Sequence, residues 1–206
     1  MRVAGMIRRI LVLAAAVAVV LAVAGSLLIG FVAQQADGAP AASTAKGGVG
    51  GPFTLATHTG GTLSDTDLKG TPFAVFFGFT HCPEICPTTL WEMSTALGEL
   101  GADGDRLKVL FVTVDPERDT AAFLSDYLGV FDPRIVGLIG DDEDLEALRR
   151  DYRVFWEKVP LEGGGYTMNH SAAVYLMDAQ GAFAGTIAYG ETAEARLAKL
   201  RALIDG

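Results

Sequence analysis

Residues 10–33 form a stretch of 24 positions without a charge, in which only Gly25, Ser26 and Gly30 fall outside the apolar set. At about 1.5 Å per residue, a helix of that length spans a hydrocarbon layer of roughly 30 Å. The next stretch, 34–52, holds five Ala, five Gly and two Pro, with Val49 its one large aliphatic side chain. It reads as a linker that cannot build a core. Apolar positions then return in short runs. Thr59-Gly60-Gly61 marks a tight turn between 53–57 and 62–63, a hairpin. Residues 73–79 are apolar without alternation, as in a strand buried on both faces. Pro87 in a first turn, followed by Leu90, Met93, Leu97 and Leu100, predicts an amphipathic helix ending near Gly101. A second buried strand covers 107–114 and stops at Asp115-Pro116. Asp119 or Thr120 caps a helix to Leu128, 135–139 is a third strand, and the acidic residues 141–144 open a helix to about Tyr152. Beyond 154–158 and a Gly163-Gly164-Gly165 loop, 172–177 and 183–189 pair as a hairpin, and 191–204 is the last helix.

Strands alternating with helices imply an α/β sheet with helices on both faces. A cysteine motif after the first core strand, with a closing hairpin and helix, looks like a thioredoxin-like fold carrying an N-terminal β-hairpin extension. The chain divides into a basic segment 1–9, a transmembrane anchor 10–33, the linker 34–52 and one domain, 53–206. Its composition, 206 residues with 50% hydrophobic, 20% charged and two cysteines, excludes collagen-like, disordered and disulfide-scaffold classes. A domain of about 150 residues folds without a staple, which frees both cysteines for chemistry.

Charge adds orientation and partners. Arg2, Arg8 and Arg9 precede the apolar stretch and no Lys or Arg follows until Lys46, which places the N-terminus in the cytoplasm and the domain outside. The alternative is a signal peptide cleaved after Ala22-Val23-Ala24, but the apolar run continues through Ala33, so a retained anchor is favoured. Nine residues are too few for a mitochondrial transit peptide. The expected location is a bacterial inner membrane, single-pass, with the domain in the periplasm. Residues 34–206 carry 13 basic and 25 acidic groups, a net −12 that argues against nucleic acid and for a cation or a basic protein surface.

The chemistry concentrates in Gly78-Phe79-Thr80-His81-Cys82-Pro83-Glu84-Ile85-Cys86-Pro87. This segment joins a buried strand to a helix N-terminus, where free N–H groups and the macrodipole favour thiolates. Cys82 and Cys86, one helical turn apart, can chelate a soft cation or close a disulfide. An inert bridge is the plainer reading, yet a loop this short removes little unfolded-state entropy. His58, His81 and His170 are the available imidazoles. His170, directly before a buried strand, is the one a thioredoxin-like sheet brings to the cysteine turn, and two thiolates with an imidazole suit copper in either oxidation state. Met168 is an extra weak ligand or a packing residue. Asp115 either hydrogen-bonds the site or merely ends its strand, Arg118 and Asp119 read as helix-start and surface residues, and Trp91 and Trp156 as core or partner-surface aromatics.

Together with Thr113-Val114-Asp115-Pro116-Glu117-Arg118-Asp119-Thr120 and Asn169-His170-Ser171, the cysteine segment closely resembles the Sco/SenC family of copper chaperones for cytochrome c oxidase assembly. The resemblance covers residue 53 to the C-terminus. It implies copper ligands at Cys82, Cys86 and His170, a thioredoxin-like fold, and delivery of copper to the CuA centre of oxidase subunit II, with another periplasmic copper chaperone as a further partner. Where the family pattern has Asp, this chain has Glu84, which keeps the charge, and Asn169, which removes one. The expectation is thus a binding protein rather than an enzyme. The alternative is a thiol-disulfide oxidoreductase that uses a redox-active Cys82–Cys86 disulfide to keep the CuA cysteines reduced. Peroxide reduction does not require a CxxxC pair with a metal-competent histidine.

Overall fold

The computed structural model describes residues 48–206; the expected anchor and most of the linker lie outside the described residues. Among the described residues no helix is long and apolar enough to cross a membrane. The elements are β1 (Thr54–Thr57), β2 (Thr62–Ser64), β3 (Phe73–Gly78), α1 (Ile85–Leu100), β4 (Lys108–Thr113), α2 (Ala121–Leu128), β5 (Ile135–Ile139), α3 (Asp142–Tyr152), β6 (Trp156–Pro160), β7 (Tyr166–His170), β8 (Val174–Met177), β9 (Phe183–Ile187) and α4 (Ala193–Asp205). Seven strands form one sheet in the order β2-β1-β5-β4-β3-β8-β9, and β6 and β7 form a separate pair. β3, β4 and β5 run parallel at the centre, flanked by antiparallel strands.

Every residue of β3 is buried, as its unbroken apolar run requires. Neighbouring side chains leave a strand on opposite faces. Phe77 thus meets Tyr152 of α3 at 5.5 Å and Trp156 of β6 at 6.3 Å between ring centroids, while Phe76 meets Phe111 at 5.9 Å. Each such aromatic contributes about 1.5–3 kcal/mol by burial. On the Phe76 side, Leu124 and Leu128 of α2 lie over Gly137, where a Cβ would sit 2.6 Å from Leu128 Cδ1. On that side too, α1 starts beside Gly78, and the Arg196–Glu92 ion pair at 2.7 Å ties α4 to α1. The starts of α2 and α3 are capped as their sequences predict. Thr120 accepts from the Phe123 N–H, and Asp141 from those of Glu143 and Asp144.

Two features differ from the sequence reading. Residues 166–170 are a strand rather than a loop, with Trp156 opposite His170 and Pro160 opposite Tyr166. Val49 packs against the core and the Gly50 N–H donates to the Asp151 carbonyl, so residues 48–52 belong to the folded unit. Gly50, at φ 105°, passes so close to Met177 that a Cβ there would lie 2.6 Å from its Cε. Met177 pairs with Phe73 at the start of β3, so the chain enters at the pole opposite the end of that strand.

Candidate metal centre

β3 ends at Gly78, and the chain turns through Thr80 and Cys82 into α1. The Cys82 N–H donates to the Phe79 carbonyl at 3.3 Å. Glu84, at the N-cap position of α1, makes no side-chain cap. The Cys82 sulfur does that work instead, accepting the N–H of Cys86 at 3.4 Å. Cys86 is fully buried and Cys82 half-buried, and both are free thiols. Gly78 makes room for them: a Cβ there would lie 2.8 Å from Cys86 Sγ and 2.8 Å from Phe111 Cε2.

The third member arrives from the β6–β7 hairpin, which straddles the end of β3. At its base Trp156 stacks on Phe77 on one face of the sheet, while His170 meets Phe76 edge-on at 6.0 Å and Phe79 at 5.7 Å. His170 Nδ1 is 2.9 Å from the carbonyl of Ser171. A carbonyl only accepts, so Nδ1 carries the proton and Nε2 presents its lone pair to Cys86 Sγ, 3.5 Å away. The two sulfurs and the imidazole nitrogen all lie within 4.8 Å of one another, the one such grouping of metal-competent side chains among the described residues.

The two thiols are unequal. The Cys86 thiol donates to the Cys82 sulfur, and the backbone N–H groups of Cys86 and Glu84 add to its effect. Against the cost of burial, they hold the Cys82 thiol far below the usual range. The same contact pushes Cys86 up, reinforced by burial and by the negative charge of Cys82. Of the two, Cys82 is the sulfur whose thiolate form the turn favours.

Asp119 holds this turn in place. Expected at the surface, it is 0% exposed and accepts the Thr80 N–H at 3.0 Å, the Thr80 hydroxyl at 2.5 Å and the Thr113 hydroxyl at 2.7 Å. A charged residue at a helix start reads as solvated; the signal for its burial is the pair of threonines at the ends of neighbouring parallel strands. Arg118 is not a surface residue either, with a side chain 24% exposed. Asp115 is buried at the same edge of the sheet as the site, but its partners are Arg118 and Tyr166 rather than any of the three donors.

The other candidates fall outside the donor group. His81 stacks on Phe123 at 5.3 Å and bonds Thr80, while His58 Nδ1 accepts the Gly137 N–H. Met168 is part of the core, as is Trp156, and Trp91 is exposed. Asn169 points away from the thiols and donates to Glu157, its partner across the hairpin, at 3.2 Å. An aspartate there would place two negative charges opposite each other, which gives this departure from the family pattern a local physical reason.

The sequence model of the SCO1/SenC family matches residues 41–205. The chain belongs to the SCO1/SenC family. Copper-bound ScoI of Bradyrhizobium japonicum is 44% identical, with a TM-score of 0.71 over 75% of this chain and 99% of that one. Yeast Sco1 with copper bound is 33% identical, with a TM-score of 0.71 over 77% of this chain and 90% of that one. The human mitochondrial SCO1 homolog is 38% identical over 138 residues, 66% of this chain and 46% of that protein. The match thus spans about half the length of the curated relatives. BsSco, which contains a disulfide switch and belongs to the Sco family of cytochrome c oxidase assembly proteins, is 21% identical with a TM-score of 0.63 over 76% of this chain and 94% of that one, and shares the fold. The α/β thioredoxin-like architecture expected from the element order is therefore the family's own.

Proposed function

We propose that this SCO1/SenC protein is a copper metallochaperone, tethered to a bacterial inner membrane with its domain in the periplasm, that carries copper on Cys82, Cys86 and His170 toward the CuA centre of cytochrome c oxidase subunit II. The observation that carries the reading is the convergence of two sulfurs and one lone-pair nitrogen within 4.8 Å, from a helix N-terminus and an independent hairpin. Soft thiolates hold Cu(I), and the imidazole adds the nitrogen that Cu(II) favours, so copper fits the donor set as cargo in either state. Among the described residues no fourth Cys, His, Asp or Glu joins the group, and Cys82 stays half-exposed, as handover by ligand exchange requires. The copper-bound relatives and the membership in a family of oxidase assembly proteins support the cargo and its destination. The apolar stretch 10–33 and the arginines before it support the tether.

One observation favours a second reading. A low-lying thiolate at Cys82 beside a protonated Cys86 is the arrangement of an attacking and a resolving thiol, suited to reducing the CuA cysteines. His170 separates the two, because disulfide exchange does not use it and Cu(II) does. In the reduced protein, His170→Ala leaves reversible Cys82–Cys86 disulfide formation intact, weakens Cu(II) binding severely and Cu(I) binding little, and lowers oxidase activity in cells in a way that added copper partly restores. Cys82→Ser and Cys86→Ser each abolish tight copper binding. Cells carrying His170→Ala that keep normal oxidase activity under copper limitation, while Cys82→Ser cells lose it, decide for the reductase.

A further inference from the structure

We propose that Arg118, held between Asp115 and Tyr166, is a positioning residue that keeps the β6–β7 hairpin, and with it His170, docked on the cysteine turn. The inference rests on the copper reading for its functional consequence, not for the mechanical one.

The hairpin needs such a device. β6 and β7 pair with each other and stand apart from the seven-stranded sheet. A lone two-stranded ribbon is marginal in water unless it packs on something. Its base is anchored by Trp156 on Phe77, but its tip is Gly163-Gly164-Gly165, exposed and at φ 96°, 98° and 77°. Between base and tip, at the first residue of β7, three groups close a ring. The Asp115 carboxylate accepts the Arg118 Nε–H at 2.5 Å on one oxygen and the Tyr166 hydroxyl at 2.8 Å on the other. Arg118 Nη1 donates to the Tyr166 carbonyl at 3.0 Å, and the guanidinium lies 3.8 Å from the centroid of the Tyr166 ring. Asp115 is 2% exposed, so this pair is desolvated and its loss is costly, unlike that of a surface ion pair. An outer link, the Lys158–Glu117 ion pair beside the same ring, is exposed and correspondingly weak.

Arg118 also reaches the metal pole. Its guanidinium lies 5.8 Å from the Phe79 ring centroid, and Phe79 is one of the two rings that hold His170 edge-on. A single side chain therefore touches both the far end of β7 and the aromatic wall behind its last residue. Nη2 is buried without a partner, so the guanidinium sits where it does for these contacts rather than for complete hydrogen bonding. The cysteines stand on α1 and its turn, and they share with this linkage only Phe79, whose backbone carbonyl accepts the Cys82 N–H while its ring faces Arg118. Arg118 thus governs the nitrogen donor and leaves the sulfurs alone.

The full chain is studied with Arg118→Met, Tyr166→Leu and the conservative Arg118→Lys. Without metal, Arg118→Met and Tyr166→Leu speed hydrogen exchange of the β6–β7 amides by at least about tenfold and leave those of β3 and β4 unchanged. With copper ions, Cu(II) affinity falls by at least about tenfold while Cu(I) affinity and the Cys82–Cys86 midpoint potential hold, and Arg118→Lys recovers part of the loss. Should Arg118→Met fail to fold, Tyr166→Leu gives the same two readouts. Unchanged exchange and Cu(II) affinity overturn the proposal. So does a joint loss of Cu(I) affinity and of protection in β3 and β4, which marks a general loss of fold. If the parent protein binds no copper, the copper reading fails by itself, and metal-free exchange alone decides the clasp.

Discussion

Replacing Asp119 by alanine tests the turn that presents the cysteines. The carboxylate accepts three hydrogen bonds, two from Thr80 and one from Thr113, with no exposure of its own. Alanine leaves the Thr80 N–H and the Thr113 hydroxyl buried and unpaired at about 1–3 kcal/mol each, while the Thr80 hydroxyl keeps the His81 ring as a partner. Because the three bonds share one acceptor they do not add fully, and the expected loss is about 3–5 kcal/mol, at the far end of the range for single substitutions. For a domain of this size each kcal/mol shifts Tm by about 2–4 °C, so the midpoint drops by roughly 6–20 °C. Asp119→Asn keeps the volume and one acceptor oxygen but turns an NH2 group toward a donor, and should lose about half as much. Urea and thermal unfolding of the reduced, metal-free protein, followed by circular dichroism, measure both. Thr80 lies two residues before Cys82, so the alanine variant also exposes Cys86 to alkylating reagents below the unfolding transition. A loss under about 1 kcal/mol with Cys86 still protected refutes the assignment, since it would mean that the donors find other partners.

Gly78→Ala drives a methyl against Cys86 Sγ and Phe111; about 1–3 kcal/mol of overpacking and a displaced sulfur should appear as a lower urea midpoint and weaker copper binding, and a stability equal to the parent's refutes the close approach. Alkylation of Cys82 should stay level from about pH 5 to pH 8, because lowering its pKa keeps the thiolate populated well below the ordinary titration; a rate that climbs through an ordinary thiol pKa near 8.5 refutes it. Sequencing the mature N-terminus should find the leader retained, and a start at Gly25 shows cleavage.

The central strands were legible because burial on both faces leaves β3 and β4 almost nothing but apolar residues. The cysteine turn was legible because a strand end, two thiols and Pro87 at a helix start are local events. His170 was placed correctly for an incomplete reason. The fold does bring it to the thiols, but from the end of β7, in a hairpin outside the main sheet, rather than from a loop. That strand was hidden by Thr167 and Asn169 and by the glycines before it, although Tyr166, Met168 and His170 alternate with those polar residues as a half-buried strand should. The long-range polar structure was not legible. Asp119 meets Thr80 across 39 positions and Asp115 meets Tyr166 across 51, and no local periodicity encodes which charged residue at a strand end turns inward.

The chain enters the folded unit beside Met177 and Gly181. β3 alone, six residues long, separates that entry point from the donor atoms by roughly 17–20 Å. Within the folded unit the thiols thus lie at the end opposite the Met177 pole, where the described chain begins. Immobilising the chain by its N-terminal side on an electrode or a bead should therefore leave the thiols facing solution, whereas attachment through Phe155 or Phe123, at the other pole, would smother them.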